Sequence, residues 1–286
     1  MSFLTESEPE RGIAHPALPG IARIVATNPS VMTYHGTNSW MIDDETHGVT
    51  VLDPGPDQTA HVDDIIAALD GRPLDRILLT HAHSDHYGAV AELRTRTGAP
   101  CLGFAPAASD DFACDQPLAD GDTVAGFQAV HTPGHASDHL CFAYNVPGTG
   151  TVLFSGDHVM SWSSSIVNPP DGDMQAYYRS LERLLARDQD ALYLPGHGPV
   201  LSNPRELVGS LLSYRQAREA SILSRLEAGS FSIQTLAESL YHKTDPWLKK
   251  AAERNVLAHL LKLEAEGKAL RDDEQWSLAG CEASAS

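Results

Sequence analysis

Cysteine is scarce in this chain, and its spacing limits the kinds of protein that the chain can be. The 286 residues include four cysteines and no CxxC pair. A dense disulfide framework of the kind found in small secreted domains is therefore excluded. We expect reduced and mostly buried thiols at Cys101, Cys114, Cys141 and Cys281.

Long apolar runs are also missing. No stretch approaches the roughly 18 consecutive apolar residues that a membrane helix needs. The first residues, MSFLTESEPERG, are acidic and lack the basic start and the apolar run of a signal peptide. We therefore expect a cytoplasmic protein without a membrane partner.

Basic residues are few and unevenly distributed. The chain has 20 Lys and Arg residues against 38 Asp and Glu residues, and its net charge is −18. Residues 1–200 contain 9 basic and 26 acidic residues, whereas residues 201–286 contain 11 and 12. The acidic first part argues against binding of an extended polyanion. The change of composition, next to a stretch rich in Pro and Gly, predicts two domains, 1–203 and 204–286.

Hydrophobic periodicity in the first domain predicts strands that alternate with helices. The predicted strands are 38–44, 48–55, 76–80, 124–131, 139–146, 151–155 and 191–194, and the predicted helices are 59–71, 87–98 and 173–188. Mixed strands that are flanked by helices predict an α/β layered fold.

Residue types that bind metals are concentrated where one predicted strand ends. The stretch RILLTHAHSDHYGAV carries His81, His83, Asp85 and His86 just after an apolar run. A chain of this composition should contain about 0.003 accidental matches to HxHxDH, so a solvated polar loop does not explain the pattern. Imidazole and carboxylate suit zinc, iron or manganese. Alternate side chains of an extended segment share a face, so His81 and His83 can reach one ion, and the other two residues could serve a second.

Three further polar residues follow apolar strands in the same way. His135 comes after the Pro-Gly turn in AVHTPGHASDH, Asp157 follows a glycine in TVLFSGDHV, and His197 lies between glycines in ALYLPGHGPV. A single His or Asp in such a turn is more often solvated or turn-capping. Together with the first cluster, at the strand ends of a rigid scaffold, these residues indicate one site.

These motifs resemble those of the metallo-β-lactamase superfamily over about residues 20–200. The family's ordered motifs are matched by Asp53, the His81–His86 cluster, His135, Asp157 and His197. The resemblance implies a four-layered αββα sandwich with two metal ions, preferably zinc, at one edge. It also implies that one ion is bound by His81, His83 and His135, the other by Asp85, His86 and His197, and both by Asp157. Asp53 would orient the ligands and their loops.

The residue at position 157 also separates subfamilies. True metallo-β-lactamases are similar but commonly have Cys or Ser there, whereas glyoxalase-II-like enzymes and lactamase-β-like-2 endoribonucleases have Asp, as this chain does at Asp157. The segments GTNSW and WSSSIVNPPDGDMQAYYRSLERL look most like the last group. The resemblance therefore argues against β-lactam hydrolysis as the main activity.

The C-terminal domain is predicted to be helical and to resemble a winged-helix module. Predicted helices span 204–228, 232–241 and 246–266, and a hairpin at 268–278 resembles the wing. Basic residues on the third helix are Lys249, Lys250, Arg254 and Lys262. We favour an ordinary amphipathic helix with a solvated charged face over a nucleic-acid contact surface, because neighbouring glutamates dilute the positive charge.

The ligand set predicts a hydrolase with two metal ions. Two ions about 3.5–4 Å apart can hold a bridging hydroxide that attacks an acyl carbon or phosphorus. The catalytic candidates are Asp85, which could receive the proton of the hydroxide, and His139, which we expect to line the cleft. We interpret His131 and His158 either as structural or as groups that orient the ligands, and the Ser161–Ser165 run as a loop near the cleft without a covalent role.

The substrate is left open between two classes of hydrolase. The resemblance slightly favours cleavage of single-stranded RNA, as in lactamase-β-like-2 endoribonucleases, over a small-molecule ester, thioester, lactone or β-lactam substrate. An iron-dependent sulfur dioxygenase and a nucleic-acid-binding module with an inert enzyme domain are further alternatives. The sequence also leaves open a homodimer and the choice among zinc, iron and manganese.

Overall fold

A computed structural model describes residues 2–109, 112–241 and 248–280 of the chain. These residues form two large sheets with helices on both sides, followed by a C-terminal unit of helices and a small sheet. No described helix is long and apolar enough to cross a membrane.

The first sheet has seven strands that follow one another in chain order. They are β1 (His15–Leu18), β2 (Ile21–Val25), β3 (Asn38–Asp44), β4 (Gly48–Leu52), β5 (Arg76–Leu78), β6 (Cys101–Phe104) and β7 (Gln116–Leu118). Strands β1 to β4 pair antiparallel, and β4 to β7 pair parallel. Parallel neighbours need a crossover connection. The crossovers contain α1 (Thr59–Leu69) before β5, and α2 (Ser84–Tyr87) and α3 (Val90–Thr97) before β6.

The second sheet has five strands in the order β12, β11, β10, β9, β8. They are β8 (Thr123–Val124), β9 (Phe127–His131), β10 (Leu140–Val146), β11 (Gly150–Gly156) and β12 (Asp190–Pro195). Only β11 and β12 pair parallel, and α4 (Met174–Leu185) forms the crossover between them. The Cα partners of the parallel pair end at Gly156 and Pro195, so both strands release the chain at the same edge.

The two sheets and the helices on their outer faces form four layers, with an apolar core between each pair of neighbouring layers. Each sheet can contribute to two cores because alternate side chains of a strand point to opposite faces. The first core lies between the two sheets. On β3, Trp40 and Ile42 lie in one core with Phe154 of the second sheet, whereas Met41 lies in the core on the helix side. A second core joins the first sheet to α1 and α3, and a third joins the second sheet to α4 and to α5 (Pro204–Leu226). The predicted αββα sandwich is therefore confirmed.

The C-terminal unit consists of three helices and a three-stranded sheet around buried Trp276. Its further elements are β13 (Phe231–Ser232), α6 (Ile233–Leu240), α7 (Lys249–Ala265), β14 (Ala269–Asp272) and β15 (Gln275–Leu278). Helix α5 spans both parts: Leu211 packs in the core of the sandwich, and Ile222 and Leu226 pack in the core of the C-terminal unit. The domain boundary after residue 203 stays a prediction, and residues 246 and 247 of the predicted third helix lie outside the described ranges.

The main differences from the sequence-based elements concern short strands. Strands β1, β2, β6 and β7 were not expected, because three- to five-residue strands such as QPL in β7 carry too little alternation to be recognised. The predicted strand 124–131 is a hairpin of β8 and β9 instead. Ala125 and Gly126 form its tip with φ angles of 48° and 82°, the left-handed conformation that a two-residue hairpin turn requires.

The expected state of the cysteines is consistent with the described residues. Cys101 and Cys141 are buried free thiols, and Cys114 is a partly buried one. Cys281 lies outside the described residues.

Candidate metal centre

Strand ends from both sheets bring seven polar side chains together at one edge of the sandwich. His81 follows β5, Asp157 follows β11, and His197 follows β12. His135 comes from the loop after β9, and the remaining three residues lie on or next to α2. The seven residues are those that the sequence motifs predicted: His81, His83, Asp85, His86, His135, Asp157 and His197.

Three histidines form the first group of ligand atoms. The Nδ1 atom of His83 lies 3.0 Å from Nε2 of His81 and 3.1 Å from Nε2 of His135. All three nitrogen atoms lie within 4.8 Å of one another, close enough for one metal ion. Three imidazoles are a ligand set that suits zinc.

A carboxylate and two histidines form the second group. The Oδ2 atom of Asp85 lies 3.3 Å from Nε2 of His197 and 3.7 Å from Nε2 of His86. Asp157 lies between the two groups. Its Oδ1 atom is 3.5 Å from Nε2 of His86 and 3.4 Å from Nε2 of His197, and its Oδ2 atom is 3.7 Å from Nε2 of His135. Each oxygen of Asp157 thus faces a different group.

Buried polar atoms without a hydrogen-bond partner support the fit of metal ions to these groups. Among the described residues, Nε2 of His86, Nε2 of His197 and Oδ1 of Asp157 are such atoms. Leaving a buried polar atom unpaired is costly. A metal cation between the three atoms would be coordinated by all of them and would remove this cost.

Hydrogen bonds to the outer nitrogen of four histidines fix which nitrogen faces the centre. The Nδ1 atoms of His135 and His197 lie 2.7 Å and 3.1 Å from the backbone oxygens of Ile166 and Gly36. A carbonyl oxygen can only accept, so Nδ1 carries the proton and Nε2 presents a lone pair to a metal. The hydrogen bonds of His81 and His86 described next have the same effect.

Asp53 connects the two groups from behind, as the resemblance implied. Its Oδ1 atom accepts from the backbone N–H of Thr80 at 2.8 Å, and its Oδ2 atom accepts from Oγ1 of Thr80 at 2.7 Å and from Nδ1 of His86 at 3.0 Å. Oγ1 of Thr80 in turn accepts from Nδ1 of His81 at 2.9 Å. Asp53 is fully buried and has a left-handed backbone with a φ of 52°, which the surrounding contacts must stabilise.

The electrostatic field of the site favours bound cations. Burial lowers the pKa of His81 well below the usual imidazole value, and that of His83 to about 4. Burial opposes the charged form of His86 and His197 too, but the Asp157 carboxylate outweighs it and raises their pKa values, that of His197 to about 9. Burial would raise the pKa of Asp157, yet His197 and His86 hold it well below the carboxyl range. Asp157 is therefore ionised.

The structure does not place His139 on the surface of the cleft, so that part of its predicted role is wrong. The residue is fully buried behind His81, with 5.1 Å between the two ring centroids, and its Nδ1 atom lies 2.9 Å from Oγ1 of Thr132. Its segment continues directly into β10, which carries the ring inward. His158 is likewise buried, and His131 stacks on Phe104.

A cleft with two arms runs from four of the seven residues, His83, Asp85, His135 and Asp157, towards the C-terminal unit. The first, the apolar arm, has a volume of about 230 Å³ and is lined by residues that include Met32, Met160, Trp162, Ile166, Tyr241 and Leu248. The second, the basic arm, has a volume of about 430 Å³ and includes Lys250 and Arg254 of α7. His135 and Asp157 line both arms. The apolar arm also includes Ser163 and Ser164, so the serine-rich loop lies beside the cleft as expected.

Sequence reasoning missed several residues that support the site. Thr80 directly precedes the HxHxDH motif, and its position after a buried strand was the signal that could have identified it. Ile166 acts through its backbone oxygen, which no side-chain pattern reveals. The apolar lining of the cleft comes from segments far apart in the chain, so it has no local signature.

We expect Asp53→Asn to weaken metal binding by about 10–100-fold, the usual effect of removing a group that orients a ligand. An amide nitrogen at one of the two positions cannot accept from Thr80 or His86, so at least one of these hydrogen bonds is lost. Zinc titration monitored by calorimetry measures the change. Asp57→Asn, in the exposed part of the same loop, is the matched control. Equal zinc affinities for the two variants would contradict the role of Asp53.

Comparisons with known proteins agree with the geometry. Residues 32–107 and 105–197 match the family model of the metallo-beta-lactamase superfamily, and residues 232–276 match that of the beta-lactamase associated winged helix domain. The Beta-lactamase-like protein 2 homolog of Drosophila melanogaster is 32% identical over 270 residues, which cover 87% of this chain and 89% of that protein. An atrochrysone carboxyl ACP thioesterase of Aspergillus chevalieri is 29% identical over 267 residues, covering 87% and 82%.

A crystal structure of a beta-lactamase domain protein from Burkholderia ambifaria has the same fold. Its TM-score is 0.81 at 22% identity, and 96% of each chain is covered. The predicted similarity to lactamase-β-like-2 proteins and the predicted winged helix are thus confirmed. The chain belongs to the metallo-β-lactamase superfamily and is a metal-dependent hydrolase with a C-terminal winged-helix domain.

Proposed function

We propose that this protein uses two zinc ions to hydrolyse small-molecule acyl thioesters. The observation that carries the proposal is the apolar arm, which begins at Asp157 and continues over Met160, Trp162 and Leu248. An acyl chain that leaves water there gains about 25 cal/mol per Å² of apolar surface. A sugar–phosphate backbone would gain nothing comparable from this surface. The similarity to a protein that is named an ACP thioesterase supports the same choice.

The seven clustered side chains would hold the ions in two sites. The first ion would bind to His81, His83 and His135, and the second to Asp85, His86 and His197, with one oxygen of Asp157 facing each site. Bound zinc lowers the pKa of water to near 7 and polarises an acyl carbonyl. Iron and manganese also accept imidazole and carboxylate ligands, so the metal is part of the proposal.

Asp85 is the ligand that we assign to proton transfer. Its side chain is 30% exposed, compared with 10% for Asp157, so Asp85 is the more accessible of the two carboxylates. The oxygen of water joins the acyl carbon, the C–S bond breaks, and Asp85 passes the proton that it took from the water to the sulfur. His139 packs behind His81 and acts on the position of that ring without touching the substrate.

Cleavage of single-stranded RNA is the second candidate. The similarity to the Beta-lactamase-like protein 2 homolog extends through both domains, and Lys250 and Arg254 could each contact one phosphate. An extended polyanion would, however, meet the strongly acidic first 200 residues, which contain 26 acidic and 9 basic side chains. We therefore place RNA second.

Purified protein should contain close to two equivalents of zinc and should hydrolyse an acyl thioester faster than single-stranded RNA. Elemental analysis of protein prepared without chelator gives the stoichiometry, and release of free thiol gives the rate. An oxygen electrode, with a thiol persulfide in place of the thioester, tests the sulfur dioxygenase alternative. A single metal equivalent that supports full activity would overturn the dinuclear assignment. RNA cleavage without thiol release would replace the thioesterase proposal with the second candidate.

Asp157→Ser should reduce thioester hydrolysis by about 10–100-fold or more, because loss of a ligand is at least as severe as loss of a group that orients one. A serine cannot face both groups, so the zinc affinity of both sites should fall. Folding should survive, since the residue follows β11 in a loop. The measurement is hydrolysis at each zinc occupancy, with Asp188→Ser, whose side chain is 82% exposed, as the control for lost charge. Unchanged zinc affinity and rate would show that Asp157 is not shared between the sites.

A further inference from the structure

The basic arm of the cleft contains two cations that the hydrolytic site does not use. Lys250 and Arg254 lie one turn apart on α7, and they line the same space as His83, Asp85 and Asp157. Residues four apart share a helix face. Both side chains are exposed, and neither forms an ion pair within the described ranges.

Other basic residues of the same helix behave differently. Nζ of Lys262 donates to Glu219 at 2.8 Å and to Glu266 at 2.7 Å, so that charge is used within the protein. Lys249 lies outside the basic arm and lines a separate depression beside Glu253. Lys250 and Arg254 share the basic arm with Asp171, whose carboxylate accepts hydrogen bonds from Ser137, and they are the basic residues of α7 that line the same space as the metal ligands.

We propose that Lys250 and Arg254 bind a phosphate on the thiol half of the substrate, as in a phosphopantetheine thioester. This inference rests on the thioesterase proposal. His135 and Asp157 line both arms, so a carbonyl at these residues directs its two substituents into different arms. The apolar arm fits the acyl chain, which leaves the basic arm for the thiol half. A guanidinium and an ammonium form strong, charge-assisted hydrogen bonds to phosphate.

The test compares two substrates with the same acyl chain, acyl-phosphopantetheine and acyl-pantetheine, which differ only in the phosphate. Wild-type protein should favour the phosphorylated thioester by about 10-fold in kcat/KM, mainly through KM, the effect of one good charge-assisted contact. The Lys250→Gln/Arg254→Gln double variant should lose this preference. The ratio of the two kcat/KM values cancels any general loss of activity. Lys249→Gln, on the same helix outside the basic arm, should retain the ratio.

Binding measurements separate failure of this inference from failure of the proposed function. Free phosphopantetheine should bind wild-type protein about 10-fold more tightly than it binds the double variant, whether or not the thioester is hydrolysed. Binding without hydrolysis would refute the thioesterase and keep the phosphate site. Equal binding, or a substrate preference that persists in the double variant, would refute the phosphate site. If wild-type protein bound single-stranded RNA but not free phosphopantetheine, and the double variant bound neither, the two cations would be assigned to RNA instead.

A second inference concerns Arg215, a buried cation on α5. The side chain is 1% exposed, and no ion pair joins it to a carboxylate within the described residues. Its Nη1 atom donates to Oδ1 of Asn255 at 3.0 Å, its Nη2 atom donates to the backbone oxygen of Ser165, and its guanidinium lies 5.6 Å from the ring centroid of Tyr177. A buried charge with only neutral partners is costly, which indicates a role beyond packing.

Residues 165–167 connect Arg215 to the ligands. Oγ of Ser165 donates to the backbone oxygen of Asp157, and the backbone oxygen of Ile166 accepts from Nδ1 of His135 at 2.7 Å. On the other side, the backbone N–H of Val167 donates to Oδ1 of Asn255 at 3.1 Å. The segment is thus held by the C-terminal helices on one side and contacts two ligands on the other.

The geometry points to Arg215 and Asn255 as positioning residues for His135 and Asp157. Arg215→Met should weaken zinc binding by about 10-fold or more, as loss of support for a ligand does. Arg215→Lys keeps the charge but has one donor nitrogen instead of the two that Arg215 uses, so it should recover part of the affinity. It also allows the test to be made if the Met variant does not fold. Asn255→Ala should resemble Arg215→Met.

Calorimetric zinc titration is the readout, because it does not depend on turnover. Arg218→Met is the matched control, since Arg218 lies on the same helix and donates to the backbone oxygen of Leu240 instead. A folded Arg215 variant, Met or Lys, that binds two zinc ions as tightly as wild type would overturn the assignment. Equal losses of zinc affinity in the Arg215 and Arg218 variants would show a general destabilisation of the protein, and this result would also overturn the assignment.

Discussion

The carboxylate of Asp157, between two groups of imidazoles, is the interaction on which the rest of the structure depends. One of its oxygens faces Nε2 of His86 and Nε2 of His197, and the other faces Nε2 of His135. A charge as buried as this one is tolerated only with opposite charge close by. The raised pKa values of His86 and His197 are the response of the protein alone, and metal cations would meet the same requirement.

The fold meets this requirement by bringing strand ends from both sheets to one edge. The parallel pair β11 and β12 places Asp157 and His197 side by side, and Gly196 permits the close approach. A Cβ atom on Gly196 would lie 2.6 Å from Oδ1 of Asp157 and 2.7 Å from Cε1 of His86. From the first sheet, Asp53 holds His86 directly and His81 through Thr80. Both sheets therefore fix the centre.

How much could be predicted from the sequence depended on whether the signal was local. The HxHxDH motif and the strand-end positions of His135, Asp157 and His197 identified every residue of the cluster, and apolar periodicity with the resemblance identified the sandwich. Burial of His139 was not predictable, because an imidazole at the start of a strand can face either side of the sheet. Arg215 joins Asn255 and Ser165 across 40 and 50 residues, and such contacts exist only once three segments have packed.

Helix α7 combines two kinds of contact in neighbouring residues, which makes the winged-helix domain part of the site. Arg254 faces the basic arm, and the next residue, Asn255, holds the backbone of Val167 from within the protein. A nucleic-acid-binding winged helix would present its cations on an outer surface, yet here Lys262 is paired with glutamates and Lys250 faces the metal ligands. Of the four basic residues of α7, Lys250 and Arg254 are thus the two that face the cleft. Since Asn255 and Arg254 move with one helix, the geometry of the ligands and the place where a substrate's anionic group would bind are set by the same element.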